Sequence, residues 1–148
     1  MMLLITMTLL LSSCAKYRLD AQVRELCAKD GGIRVYETVK LPPDKFDKYG
    51  NINFYRATQG ENALGPEYIY IEETHYFVNE PPAWHSNVKS VRREYTKIIR
   101  VADMKLLGEW VSYHRIGGEW PGPFHPSTFS CPDTSGLFSS VYINENIQ

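Results

Sequence analysis

The 148 residues contain no Gly-x-Ser-x-Gly nucleophile elbow, no phosphate-cradling glycine loop and no His-Glu-x-x-His pair. Each missing motif removes a ready mechanism: a serine held on a strained turn, a nucleotide gripped by backbone N–H groups, or a zinc gripped on one helix face. An excess of charge of one sign is missing too. With 16 Lys and Arg against 17 Asp and Glu, the net charge is −1, and nothing resembles the basic footprint of a nucleic-acid binder. Lys89, Arg92, Arg93, Lys97 and Arg100 form a local basic stretch, but Glu94 interrupts it and the spacing is that of the polar positions of a strand, which describes a solvated face. There is no internal repeat and no low-complexity block. A long membrane span is absent as well: the apolar run Met1 to Leu11 reaches about 17 Å as a helix, against a hydrocarbon core of roughly 30 Å.

That run is nevertheless the most informative segment. It has no polar face at helical spacing and stops at Ser12-Ser13-Cys14, which argues for a processed segment over a buried core helix. Leu11-Ser12-Ser13-Cys14 resembles the lipobox of a bacterial lipoprotein signal peptide, although no Lys or Arg precedes Lys16. The resemblance implies cleavage after Ser13, a diacylglycerol on the Cys14 thiol and an acylated new amine, giving the two or more chains that stable anchoring requires. Ala15, where enteric Gram-negative bacteria use Asp for inner-membrane retention, implies the outer membrane, with the domain facing the periplasm. The expected organisation is a signal peptide over 1–13, an anchor and short tether over 14–16, and one globular domain over 17–148 whose tail beyond about 132 is flexible.

Composition is that of a globular chain, 43% hydrophobic and 22% charged. With Cys14 assigned to lipid, Cys27 and Cys131 remain as an even pair in an oxidising compartment, and one disulfide is expected, two separate buried thiols being the other reading. Leu19, Val23, Leu26 and Cys27 recur at i, i+4, i+7 and i+8, which predicts a helix from about Tyr17 to Lys29, ended by Asp30-Gly31-Gly32. Only two or three residues then separate the anchor from the helix, so the domain is expected close against its membrane.

Beyond the helix the pattern turns to strands. Ile33 to Val39 alternates and is rich in β-branched and aromatic residues, and Leu41-Pro42-Pro43 stops it. A helical turn is expected within Asp44 to Tyr49, a short strand over Ile52 to Tyr55 and a polar loop over Thr58 to Pro66. Tyr68 to Val78 reads as a strand, and Val88–Val101 and Lys105–Arg115 as an antiparallel hairpin turning at Ala102-Asp103-Met104. Glu119 to Pro132, with four prolines, reads as a stiff loop pinned by Cys131, and Leu137 to Ile143 as a last strand. The fold class is α+β, one N-terminal helix packed on an antiparallel sheet of four or five strands. Cys27-Ala28-Lys29-Asp30-Gly31-Gly32, Lys105 to Glu109 through Gly117-Gly118, Gly122 to Ser127 and Phe129-Ser130-Cys131 resemble segments of small uncharacterised bacterial lipoproteins, which implies the same address and no chemistry.

Two classes of function follow. The favoured one is a non-catalytic, lipid-anchored module that binds an envelope protein or glycan through a sheet edge or through aromatics such as Trp110, Trp120 and Phe124, since aromatic residues are enriched at interfaces. It needs no cofactor and no metal. The alternative is a small membrane-tethered hydrolase or metal-dependent enzyme in which Glu73 or Glu72 and His75 recruit His85, His114 or His125. Ser127 beside His125 lacks an orienting third group in the sequence.

Overall fold

The computed structural model describes residues 2–78, 89–118, 126–132 and 136–146, with side chains from residue 15 onward. The order is helix α1 (Met2–Asp30), strands β1 (Gly32–Val35), β2 (Val39–Leu41), β3 (Tyr68–Val78), β4 (Ser90–Arg100), β5 (Lys105–Ile116) and β6 (Thr128–Cys131), helix α2 (Leu137–Val141) and strand β7 (Tyr142–Asn144). Short 3-10 turns occupy Pro43–Lys45 and Ala57–Asn62. The class is α+β, with five strands in one antiparallel sheet of order β1-β5-β4-β3, β6 also pairing with β5. That sheet has five strands, within the expected four or five; β2 and β7 form a further, separate parallel pair, Val39 opposite Tyr142, which the sequence pattern does not predict.

Four local expectations are corrected. Ile33 to Val39 is not one strand: Tyr36 and Glu37 both donate their amides to the Leu107 carbonyl, which ends the pairing of β1 with β5 and lets the chain turn to β2. Ile52 makes only an isolated bridge with Phe46. Leu137 to Ile143 begins as a helix because Leu137 and Val141, at i and i+4, are both buried, and the Gly136 carbonyl accepts from the Ser140 amide and the Ser139 hydroxyl. Within the segment expected to be a loop, Thr128–Cys131 is a strand, in register with Tyr113 to Ile116.

Contacts group the chain into two compact units, each drawing on β3, β4 and β5. The first, here the helical unit, comprises Met1–Gly31, Thr74–Glu94 and Ser112–Asp133. In it Val23 and Cys27 are buried, as their spacing on α1 predicts, and α1 is stapled to β6 by the disulfide Cys27–Cys131, Cα atoms 5.9 Å apart. Gly31 passes so close to the bridge that a Cβ there would lie 2.7 Å from both the Cys27 carbonyl oxygen and its Sγ. The remaining ties are polar. The buried Arg115 donates through Nε to Asp20 at 2.8 Å, and through Nη1 to the carbonyls of Gly117 and Ser127 and to Ser127 Oγ. Asp30 accepts from the Tyr113 hydroxyl at 2.6 Å and pairs with Arg93 at 3.3 Å. Every charge in this set is matched, the condition under which buried ions are tolerated.

The second, the aromatic unit, comprises Gly32–Glu73, Tyr95–Val111 and Thr134–Gln148. Its core is Leu64, Tyr68, Ile98, Leu107, Leu137, Val141 and Tyr142, with further apolar side chains packed around it. Burying each such aliphatic or aromatic side chain contributes about 1.5–3 kcal/mol. Helix α2 reaches this core over Gly108 of β5, where a Cβ would stand 2.7 Å from Val141 Cγ2 and 3.2 Å from Leu137 Cδ1. The β4–β5 turn is held by Arg100, which donates to Asp103 and to Glu37, and Lys105 pairs with Glu37 as well.

Candidate functional site

Alternation along the strands puts Tyr68 and Tyr70 on one face of β3 and Thr96 and Ile98 on one face of β4. On β5 the same alternation pairs the small Gly108 with the large Trp110, so α2 settles over the glycine beside the indole. The space left between them is a cleft of about 460 Å³. Tyr55, Tyr70, Trp110 and Phe138 supply its rings, and Asn51, Thr96 and Ser139 its polar groups. Tyr55 packs on Tyr70 at 5.5 Å between centroids, 69° apart in plane, and on Phe138 at 4.9 Å and 48°, edge and tilted arrangements that suit the ring quadrupoles. Volume and lining are those of a small-molecule site.

Polar chemistry in the cleft is neutral. Burial pushes the Tyr70 phenol far above its ordinary range, helped by its hydrogen bond with Tyr55 and the nearby Glu72 and opposed by the Thr96 hydroxyl, so Tyr70 stays protonated at any biological pH. The Trp110 indole N–H is shielded from solvent and has no acceptor among the described residues. Trp110 is one of the three aromatics singled out from sequence; Trp120 and Phe124 lie outside the described residues.

A second polar cluster sits in the helical unit. The β5–β6 register sets His114 opposite Ser130, and the ring meets Ser130 Oγ through Nδ1 at 2.9 Å and Ser112 Oγ through Nε2 at 2.8 Å. The Glu94 carboxylate lies 3.1 Å from Nε2 and is also paired with Arg92 at 2.8 Å. The hydrogen bond from His114 lowers the Glu94 carboxyl below its ordinary value of 4.5 against the opposing effect of burial, with the charge of Arg92 assisting. Because a carboxylate only accepts, the proton on that side belongs on Nε2, which leaves Nδ1 to accept from Ser130.

Glu94 and Ser130 were not selected from sequence, since their partner on β5 is identified only by strand register. The residues that were selected are arranged otherwise. Glu73 faces Lys97 at 3.9 Å, and the His75 ring lies edge-on to Phe77 at 4.9 Å between centroids; Glu72, Glu73 and His75 are exposed. His114 thus joins Glu94 in place of Glu73. Among the described residues no group of three or more His, Cys, Asp and Glu side chains is arranged to hold a metal. His85 and His125 lie outside the described residues, as does the Cys14 side chain.

One carboxylate cluster is plainly structural. Glu109 on β5 accepts from the hydroxyls of Tyr36 and Tyr95, each at 2.7 Å, and from Arg34 at 3.2 Å. Burial would raise its pKa, but the three donors outweigh that and hold it below the ordinary carboxylate value, while burial and Glu109 push Tyr95 up to about 12. Of the stretch that looked basic in sequence, Arg92, Arg93, Lys97 and Arg100 each stand beside a carboxylate. Among the described residues no helix is long and apolar enough to cross a membrane. Comparison with known proteins found no matching family model, no matching curated protein and no matching solved structure.

Proposed function

We propose that the chain is a lipid-anchored cell-envelope protein, tethered to the outer membrane through Cys14, that acts as a non-catalytic binding module for an envelope protein or glycan. The address rests on Leu11-Ser12-Ser13-Cys14 and accords with a disulfide, a bond that persists in oxidising compartments. The observation that carries the binding role is the cleft of Tyr55, Tyr70, Trp110 and Phe138, a concave aromatic site with a few neutral polar groups. Mass spectrometry of the protein cross-linked in intact envelopes tests both halves. The expected result is a diacylated Cys14 and a captured component that is lost from the Trp110→Ala variant. An unprocessed N-terminus would sink the address, and capture indifferent to Trp110 would sink the cleft.

A second reading, a small tethered hydrolase, draws support from the His114 contacts in place of the Glu73 and His75 pair first considered. Ser130 would be the nucleophile, His114 the base and Glu94 the group that orients the ring, the division of roles found in serine hydrolases. A fluorophosphonate probe decides it: labelling of Ser130 that His114→Gln abolishes supports the hydrolase, and an unlabelled, folded protein ends it.

A further inference from the structure

The binding role proposed above, on which this inference rests, is narrowed by how the cleft uses its own protons. Ser139 donates its hydroxyl to the Gly136 carbonyl at 3.0 Å, Asn51 donates one amide hydrogen to Asp47 at 3.3 Å, Tyr70 donates to Glu72 at 3.4 Å, and the Thr96 hydroxyl lies beside Tyr70. The wall oxygens at Ser139 and Thr96 therefore offer lone pairs, and a ligand that brings hydroxyl donors meets them. A purely apolar ligand would leave those oxygens without partners. An anionic ligand would meet no opposite charge, because none of the described lining residues is ionised. The carboxylates bonded to the lining, Glu72 on Tyr70 and Asp47 on Asn51, are of its own sign, so it would lose its hydration uncompensated. Aromatic rings, in turn, present negative faces that attract the weakly positive C–H groups of a saturated ring.

We infer that the cleft takes a neutral saccharide, one sugar face of C–H groups laid against Trp110 and its aromatic neighbours and its hydroxyls donating to Ser139 and Thr96. Size accords with this, since about 460 Å³ falls within the range of small-ligand sites. The indole N–H of Trp110, without an acceptor among the described residues, provides a reporter beside the site.

Calorimetric titration of the full chain with soluble tetramers of glucose and of N-acetylglucosamine tests the assignment, with a galacturonic acid tetramer and a blocked leucine tripeptide as comparators. The expected result is saturable binding of at least one neutral tetramer, a shift of the Trp110 indole N–H resonance, and affinity at least tenfold weaker in Trp110→Ala. Ser139→Arg, at an exposed position on the rim, is expected to weaken binding as much and guards against misfolding of the tryptophan variant. Preference for the acidic tetramer overturns the neutral class. Binding of the leucine peptide alone, lost in the same variants, overturns the sugar and leaves the binding module intact. Binding of none of the four, by protein that is folded, removes both readings.

Discussion

Each unit is held together internally by its own means, and the two means are opposite. In the helical unit, one disulfide and a chain of matched charges tie α1 to the strands, and the buried apolar side chains among the described residues are Val23, Cys27, Val91 and Tyr113. In the aromatic unit, Tyr68, Tyr142 and their neighbours form a continuous apolar cluster, and the polar pairs lie mostly at its margin. Where few of the described apolar side chains are buried, the disulfide and the ion pairs carry a larger share of what holds α1 to the strands. The expected consequence is that polar atoms are indispensable in one unit and disposable in the other.

The most severe way to test that contrast is to remove the bridge. Cys27 and Cys131 are 104 residues apart, and closing a loop of that length stabilises the folded chain by about 4.7 kcal/mol in the chain-entropy model. The Cys27→Ser/Cys131→Ser double variant should lose stability on that scale in denaturant unfolding, and amide exchange should open α1 before the core around Ile98 and Leu107. A uniform opening would refute the division. Next in size, Asp20→Ala leaves the buried Arg115 guanidinium without its carboxylate and should cost roughly 3 kcal/mol, a value read from the midpoint shift at constant m. Asp20 and Arg115 both replaced by apolar residues should recover much of the loss.

In the aromatic unit the vulnerable feature is space, not charge. Gly108→Ala drives a methyl toward Val141 and should cost about 2 kcal/mol by overpacking. If Gly108→Ala is neutral, α2 is not seated as described. Tyr142→Phe has the opposite sign: its hydroxyl is buried with no partner among the described residues, so deleting the oxygen should leave stability unchanged or raise it by up to about 1 kcal/mol. A clear loss would show that this polar atom matters after all.

The mildest effect is acid dependence. Glu94 titrates below its ordinary value of 4.5 in the folded chain, so its contribution is complete above that value and is lost as the pH falls through the folded pKa. Glu94→Gln should therefore be less stable than the parent at neutral pH and indistinguishable from it in strong acid, as read from thermal midpoints across pH 2 to about 7. A gap that persists in acid would mean that packing, not ionisation, supplies the effect.

Long, regular segments were legible from residue order. Tyr68–Val78 has the boundaries read from its pattern, the hairpin turns where Ala102-Asp103-Met104 interrupts two β-type runs, and Val23 and Cys27 point inward as their spacing on a helix requires. The disulfide followed from counting cysteines. Trp110 stood out in sequence by its residue type, but nothing local said that it would border a cleft and that Tyr55, Tyr70 and Phe138 would join it. Short segments were misread for a related reason. Four residues such as Thr128–Cys131 become a strand only because β5 offers them a partner, and Leu137–Val141 becomes a helix because Gly108 leaves room for it.

Residue order by itself determined the α+β class, the main strands and the turn positions, because periodicity and turn chemistry act locally; the pairing of Cys27 with Cys131 was expected from sequence only with Cys14 set aside for lipid. Tertiary structure alone decided the parallel β2–β7 pair, the Asp20–Arg115 and Glu94–His114 contacts and the aromatic cleft. Those features join residues far apart in the chain, and which of them meet depends on strand register and on the volume left between packed elements, quantities that no local pattern encodes.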